Sequence, residues 1–296
     1  MTQNQYKYFA ISHDDKAWGA WILNAGSQAF EPHQEYPARS HPAHHYFHWN
    51  TGRVLQEYQI FYIVEGQGEF ESEGSGRQAL KAGQVVFLFP GVWHRYRPDQ
   101  DSCWHTHWVG FDGLIARHVM STGFVTPERP VIDIGFQEKI VQLFHEIEHI
   151  GFEEMAGYQQ ILSGLLLQML GEFHAILKRQ PFQHSGHENM IRHARIIMME
   201  SLDRSIELEA IADQLGMGYS LFRQLFKQYT GLSPRQYIIQ LRIEKAKELL
   251  LDPALSVKQV AYSAGFESGH YFTRLFKEKT GLTPTQYINR STHKSG

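Results

Sequence analysis

Arginine, glutamine, serine, threonine and histidine side chains can pair with the edges of DNA bases, and lysine neutralises phosphate. Tyr219, Ser220, Arg223, Gln224 and Lys227 form such a set, spaced to share one side of a helix whose opposite side holds Phe222, Leu225 and Phe226. His270, Thr273, Arg274 and Lys277 form a second set, opposed in the same way by Phe272, Leu275 and Phe276. One amphipathic helix of this kind is ordinary. Two with matching polar faces point to contact with a duplex nucleic acid. A different chemistry is open to imidazoles: of the 18 His, His41, His44, His45 and His48 crowd one segment, and His105 and His107 face alike on a strand. They suit a metal or pH-sensing cluster, although a hydrated loop with pocket-lining imidazoles accounts for them without any metal. The sequence offers no nucleophile–base constellation and no phosphate loop, and Cys103 lies in no recognisable activating context. No catalytic residue is therefore expected, and the chain does not read as an enzyme.

The elements that must position the two polar sets follow from an internal repeat. Leu225-Phe226-Lys227, Thr230-Gly231-Leu232 and the Pro234-x-Gln236-Tyr237-Ile238 run recur as Leu275-Phe276-Lys277, Thr280-Gly281-Leu282 and Pro284-x-Gln286-Tyr287-Ile288. Upstream, Ile211-Ala212 with Gly216 matches Val260-Ala261 with Gly265. Each copy predicts a short helix, a turn at its glycine and a second helix carrying the polar set, which is helix-turn-helix grammar. One long helix from Pro234 to Leu251, with Leu241, Ala246, Leu249 and Leu250 as its apolar face, joins the copies. It fixes their phase so that both readers can enter successive major-groove segments.

The rest of the chain differs in texture. Tyr58–Val64 and Val85–Phe89 are strand-like, and glycine turns follow at Gly66, Gly68, Gly74 and Gly76, which predicts an antiparallel barrel or sandwich. From Phe136 to Arg179 the period becomes helical, with Ile140, Leu143, Phe144, Ile147, Ile161, Leu165, Leu166 and Met169 in step, so a helical hairpin is expected. Its stripe at Ile140, Leu143, Leu165 and Leu166 is offered to a second subunit. Its apolar run Ile161–Leu170 is too short to cross a bilayer. Charge divides likewise: from Glu188 onward 15 Lys and Arg oppose 11 Asp and Glu, a net of +4, leaving −7 for the remainder of a chain whose total is −3. The basic part is the one suited to a polyanion. A single cysteine and a polar Met1–Lys7 without a signal-like apolar run lead to the expectation of a cytoplasmic protein.

The run Tyr237, Arg242, Ala246, Leu249-Leu250, Val260-Ala261, Gly265-Phe266, Phe272, Arg274, Phe276-Lys277, Gly281, Thr283-Pro284, Tyr287 resembles the DNA-binding domain of the AraC/XylS transcription regulators over about Asn189–Arg290. The resemblance implies seven helices and two helix-turn-helix motifs. Ser220, Arg223 and Gln224, then His270, Thr273 and Arg274, fall at base-reading positions, and Ile288 departs from the family's Arg. The partners implied are promoter DNA and RNA polymerase, with no membrane.

Gly66-Gln67-Gly68, Gly83, Pro90-Gly91 and His94, with the Trp104–Phe111 run, resemble the sugar-sensing cupin domain of arabinose-type regulators over about Ser40–Gly113. The expected fold class is thus α+β multidomain: a jelly-roll barrel (1–113), a helical dimerisation region (114–180), a linker (181–187) and an all-α double helix-turn-helix domain (188–296). Effector-binding residues are expected at Arg53, His94, Tyr96, His105, Thr106 and Trp108, with aromatic faces for sugar C–H surfaces and polar groups for hydroxyls. Arg53, Tyr96, Thr106 and Trp108 lie nearest to sugar-contacting positions of the arabinose sensor, where Thr106 replaces a His. Enzymatic cupins bind metal through positions held here by Arg53, Leu55, Gln59 and His94. One surviving imidazole makes no metal site, and no cofactor is implied. The expected function is a homodimeric, sugar-responsive transcription regulator, an activator of carbohydrate-utilisation genes. The alternative is a metal-dependent cupin enzyme, or a metal or pH sensor, with a DNA-binding tail.

Overall fold

The computed structural model describes residues 5–34, 36, 48–182 and 186–292. His41, His44 and His45 lie outside them, as does the middle of the expected linker. The described residues form nine strands and eleven helices, in chain order β1 (Gln5–Tyr8), α1 (His13–Trp18), β2 (Trp21–Phe30), β3 (Arg53–Val54), β4 (Tyr58–Ser72), β5 (Gly76–Lys81), β6 (Gln84–Leu88), β7 (Trp93–Pro98), β8 (Trp104–Asp112), α2 (Leu114–Met120), β9 (Val131–Asp133), α3 (Glu138–Glu153), α4 (Tyr158–Arg179), α5 (His187–Glu200), α6 (Leu208–Gln214), α7 (Tyr219–Thr230), α8 (Pro234–Leu249), α9 (Val257–Ser263), α10 (Gly269–Thr280) and α11 (Pro284–Thr292). They divide into two compact units, Met1–Leu177 and Lys178–Gly296.

In the first unit every strand pair is antiparallel, and one path runs β1-β2-β8-β4-β6-β9. The long β4 serves two sheets: Tyr58–Gly66 pairs with β8, and Gly68–Ser72 pairs with β5 and β7. Because side chains alternate along a strand, β4 sends Ile60 and Tyr62 to one core and Phe61 and Ile63 to another. The first core lies between the sheet and α3 and α4; the second fills the barrel with Phe30, Phe70, Trp104 and Trp108. The sheet also continues past residue 113, since β9 pairs with β6 through Val85↔Ile132.

The hairpin does not present its main stripe. Ile140, Leu143, Leu165 and Leu166 are all buried in their own unit, because the outer face of the sheet is itself apolar and must be covered. The Ile161–Leu170 run belongs to a longer segment, Tyr158–Phe182, that is long and apolar enough to cross a membrane by length and composition. In this fold its apolar side packs on the sheet, with Leu162, Leu166, Met169 and Phe173 buried. Gln159 pins it there: its Nε2 donates to the Ile22 carbonyl (3.0 Å) and its Oε1 accepts from the Ile22 amide (3.1 Å).

The second unit contains seven helices, α5–α11, around two separate cores. Phe222 and Phe226 centre the first, Phe272 and Phe276 the second. The joining helix ends at Leu249 and feeds both, with Ile238 in the first core and Ile243 and Ala246 in the second, while the expected Leu241 is only half-buried. The repeated letters have a shared physical job. Thr230 Oγ1 donates to the Phe226 carbonyl and Thr280 Oγ1 to that of Phe276, both at 2.7 Å. Gln236 and Gln286 then close capping boxes on Ser233 and Thr283, satisfying amides at the helix starts.

Candidate functional site

Polar groups gather inside the barrel around Arg53, which stands at the mouth strand β3. Its Nε donates to His94 Nε2 (3.2 Å), and one terminal nitrogen donates to Gln59 Oε1 and Tyr96 Oη, each at 3.1 Å. The guanidinium carbon is also 5.6 Å from the Tyr96 ring centre. His94 is buried, and burial together with the Arg53 charge pulls its pKa down to about 3. It is therefore neutral near pH 7, with Nδ1–H donating to the Val92 carbonyl (3.1 Å) and Nε2 accepting from Arg53. Both ring nitrogens are committed, one of them to a cation, so a metal could take His94 only by displacing Arg53.

Thr106 and Trp108 are buried on the barrel side of β8, the side that also carries Trp104. Gln28 lies directly opposite Thr106 in the β2–β8 register. His105 does not join them. Strand alternation turns it to the helix-facing side with His107, and the two ring centres are 5.1 Å apart. Burial and the neighbouring His107 lower the His105 pKa. The expected effector residues thus separate, five toward the barrel and His105 away from it.

A cavity of about 640 Å³ opens at the barrel rim, lined by Phe30, Tyr36, Trp49 and Tyr96 with Glu31, Glu69, Arg97, Asp99 and Gln100. Tyr96 belongs to both the cavity wall and the Arg53 network, while Arg53, His94, Thr106 and Trp108 are not part of the lining. Sequence reading missed Trp49, whose ring is stacked under Arg95 (4.4 Å) and Arg97 (4.0 Å). The signal that could have found those arginines is the alternation Arg95, Tyr96, Arg97, which sends charge outward from an inward-facing ring. It also missed Gln28, and it singled out Gln59 only as a replaced metal-ligand position; both are buried amides on strands whose inward positions are otherwise mostly apolar.

In the second unit Ser220, Arg223, Gln224 and Lys227 are exposed on α7, and His270, Arg274 and Lys277 are exposed on α10; Tyr219 and Thr273 are half-buried. Both arginines lie near a tyrosine about one turn earlier, Arg223 5.8 Å from the Tyr219 ring centre and Arg274 5.5 Å from that of Tyr271. Neither tyrosine is free to leave: Tyr219 packs on the first core and Tyr271 on the second. Thr273 donates to the Gly269 carbonyl (2.9 Å), within its own helix.

Known proteins share both units. The model of the AraC-like ligand binding domain matches residues 31–183, and that of a helix-turn-helix domain matches residues 211–290. The chain belongs to the AraC-like transcription regulators. It is 24% identical to the raffinose operon transcriptional regulatory protein RafR of Pediococcus pentosaceus, over 91% of this chain and 92% of that protein. It is 21% identical to the lactose operon transcription activator of Staphylococcus xylosus, over 74% of this chain and 79% of that one. The thermoregulatory protein LcrF of Yersinia pestis is 34% identical over 72% of this chain and 82% of its own length. This AraC-like regulator thus joins a small-molecule-binding, cupin-like unit to a helix-turn-helix unit that binds DNA.

Proposed function

We propose that the effector is a mono- or oligosaccharide and that the protein activates carbohydrate-utilisation genes as a homodimer recruiting RNA polymerase in the cytoplasm, with no catalysis of its own. The observation that carries the DNA half is the duplicated, exposed polar face of α7 and α10 at equivalent positions of the repeat. Arg223, Gln224 and Ser220, with His270, Thr273 and Arg274, read base edges in this proposal; Lys227 and Lys277 hold phosphate, and Tyr219 orients Arg223. The effector half is supported by the rim cavity, where rings and carboxylates suit C–H faces and hydroxyls, and by operon regulators for raffinose and lactose among the relatives. In this proposal Tyr96 lines the cavity and links it to Arg53 and His94, and Thr106 and Trp108 complete the effector set from the barrel side of β8.

The proposed organisation keeps the regions 1–113, 114–180, 181–187 and 188–296. Dimer pairing draws on apolar side chains of the second region that the fold leaves exposed, among them Leu114, Phe136, Met155 and Ile161. Sugar shifts the output by binding one arrangement of the protein better than another.

The test is thermal unfolding of the full-length protein against a saccharide panel, followed by promoter binding with the sugar that stabilises it. Tyr96→Ala is expected to abolish the sugar-dependent shift, because it removes a cavity wall and one partner of Arg53. Promoter affinity of the isolated 178–296 segment must be unaffected by that sugar. A panel without any stabilising saccharide would refute the sugar reading, and a sugar response retained in Tyr96→Ala would refute the cavity. Lys277→Ala is expected to lower the slope of log affinity against log salt by about 1 without altering sequence preference. A changed preference would remove Lys277 from the phosphate contacts.

A further inference from the structure

Strand β8 turns His105 and His107 to one side, because their spacing of two matches the strand period. Across from them, α3 presents His145 and Glu148, whose spacing of three puts both on one helix face. The two pairs meet. His107 Nδ1–H donates to Glu148 Oε1 at 3.0 Å, and His145 Nδ1 is 3.7 Å from Glu148 Oε2. The His107 and His145 ring centres are 4.8 Å apart. One nitrogen from each imidazole and one Glu148 oxygen all lie within 4.8 Å of one another. Strand and helix each contribute, so the three side chains approach from opposite walls of one space.

This cluster is also short of partners. The Nε2 atoms of both His105 and His107 are buried without a hydrogen bond, although His107 is only 1% exposed. Buried polar atoms are nearly always paired, so a site with spare imidazole nitrogen and a buried carboxylate is chemically unfinished. Two imidazoles and a carboxylate are a ligand set that zinc accepts, with an open fourth position.

We propose that His107, His145 and Glu148 bind a zinc-class dication between β8 and α3. The exposed His145 ring is the one free to rotate toward the ion. Because Thr106 and Trp108 occupy the other face of the same strand, the ion ties the barrel strand of the proposed effector set to the helical hairpin.

The experiment uses the full-length protein, stripped with a chelator and titrated with zinc alone against a competing chromophoric chelator. Cobalt then replaces zinc to report tetrahedral geometry through its visible absorption. The wild type is expected to bind zinc and to show the cobalt band. His145→Ala, a substitution at an exposed position that leaves the core intact, is expected to weaken this site ~tenfold or more and to remove the band; Glu148→Gln is expected to do the same. The proposal is overturned by a wild type that takes up no zinc. It is equally overturned by uptake that is unchanged in both variants, or that disappears on replacing His44 and His45, which would assign the metal to the 41–48 segment.

Discussion

Gly265→Ala is expected to destabilise the second helix-turn-helix module by about 2–4 kcal/mol, whereas Gly216→Ala, its counterpart in the first module, costs about 1 kcal/mol. The two glycines occupy the same place in the repeat and both adopt positive φ, +87° and +68°. A side chain therefore strains the backbone equally in either copy. Their surroundings differ. A Cβ on Gly216 would meet nothing within 4 Å, but one on Gly265 would lie 1.8 Å from the Leu202 carbonyl oxygen and 2.7 Å from Arg242 Nε. Those two atoms bond to each other at 3.0 Å, and Arg242 also donates to the Arg204 carbonyl. The added methyl group must break this bridge, leaving a half-buried guanidinium and a carbonyl without partners, or push the turn away. Either adds roughly 1–3 kcal/mol to the cost of the left-handed conformation. Urea unfolding of the full-length variants measures the difference; equal losses would mean that the bridge carries no stability.

That asymmetry marks a limit of the sequence. The repeat made the two modules legible because its letters act locally: Thr230 and Thr280 bond four residues back, and Gln236 and Gln286 cap three residues back. What a glycine's missing side chain would touch depends on Leu202 and Arg242, far away in the chain. The same reason separates the successes and failures of the first unit. Strands and helices followed from short-range periodicity, but the destination of the Ile140, Leu143, Leu165 and Leu166 stripe depended on the sheet face it covers. The family resemblance placed Arg53, His94 and Tyr96 in one neighbourhood, and they do form one network. Residue type alone makes His105 as good a hydroxyl partner as Thr106, but the strand period of two turns it to the opposite face from Thr106 and Trp108. The rim cavity was the least legible, since Glu31 and Trp49 stand at opposite ends of the β2–β3 connection, Asp99 belongs to the β7–β8 connection, and they acquire a common purpose only when the barrel closes.

Replacing both Arg223 and Arg274 with alanine is expected to erase most of the preference of the protein for its own promoter. Each guanidinium is exposed on its recognition helix, one repeat position apart (Arg223 matches Thr273, and Arg274 matches Gln224), and lies close to a tyrosine that its own core holds. That neighbour limits the rotamers of a long side chain, so less freedom is lost when the fork of donors meets a guanine edge. A good bidentate contact contributes about 1–3 kcal/mol of discrimination. The two arginines belong to modules with separate cores and share no partner, so their effects should add. The double variant then loses about 2–6 kcal/mol, at least ~30-fold in the ratio of specific to scrambled binding. Each single variant should relax preference in only one half of the site, Arg223→Ala in one and Arg274→Ala in the other. Competition binding at one fixed salt concentration separates this from a loss of charge, because removing two phosphate contacts weakens own-promoter and scrambled DNA alike. An unchanged ratio in the double variant would show that neither helix reads bases through its arginine.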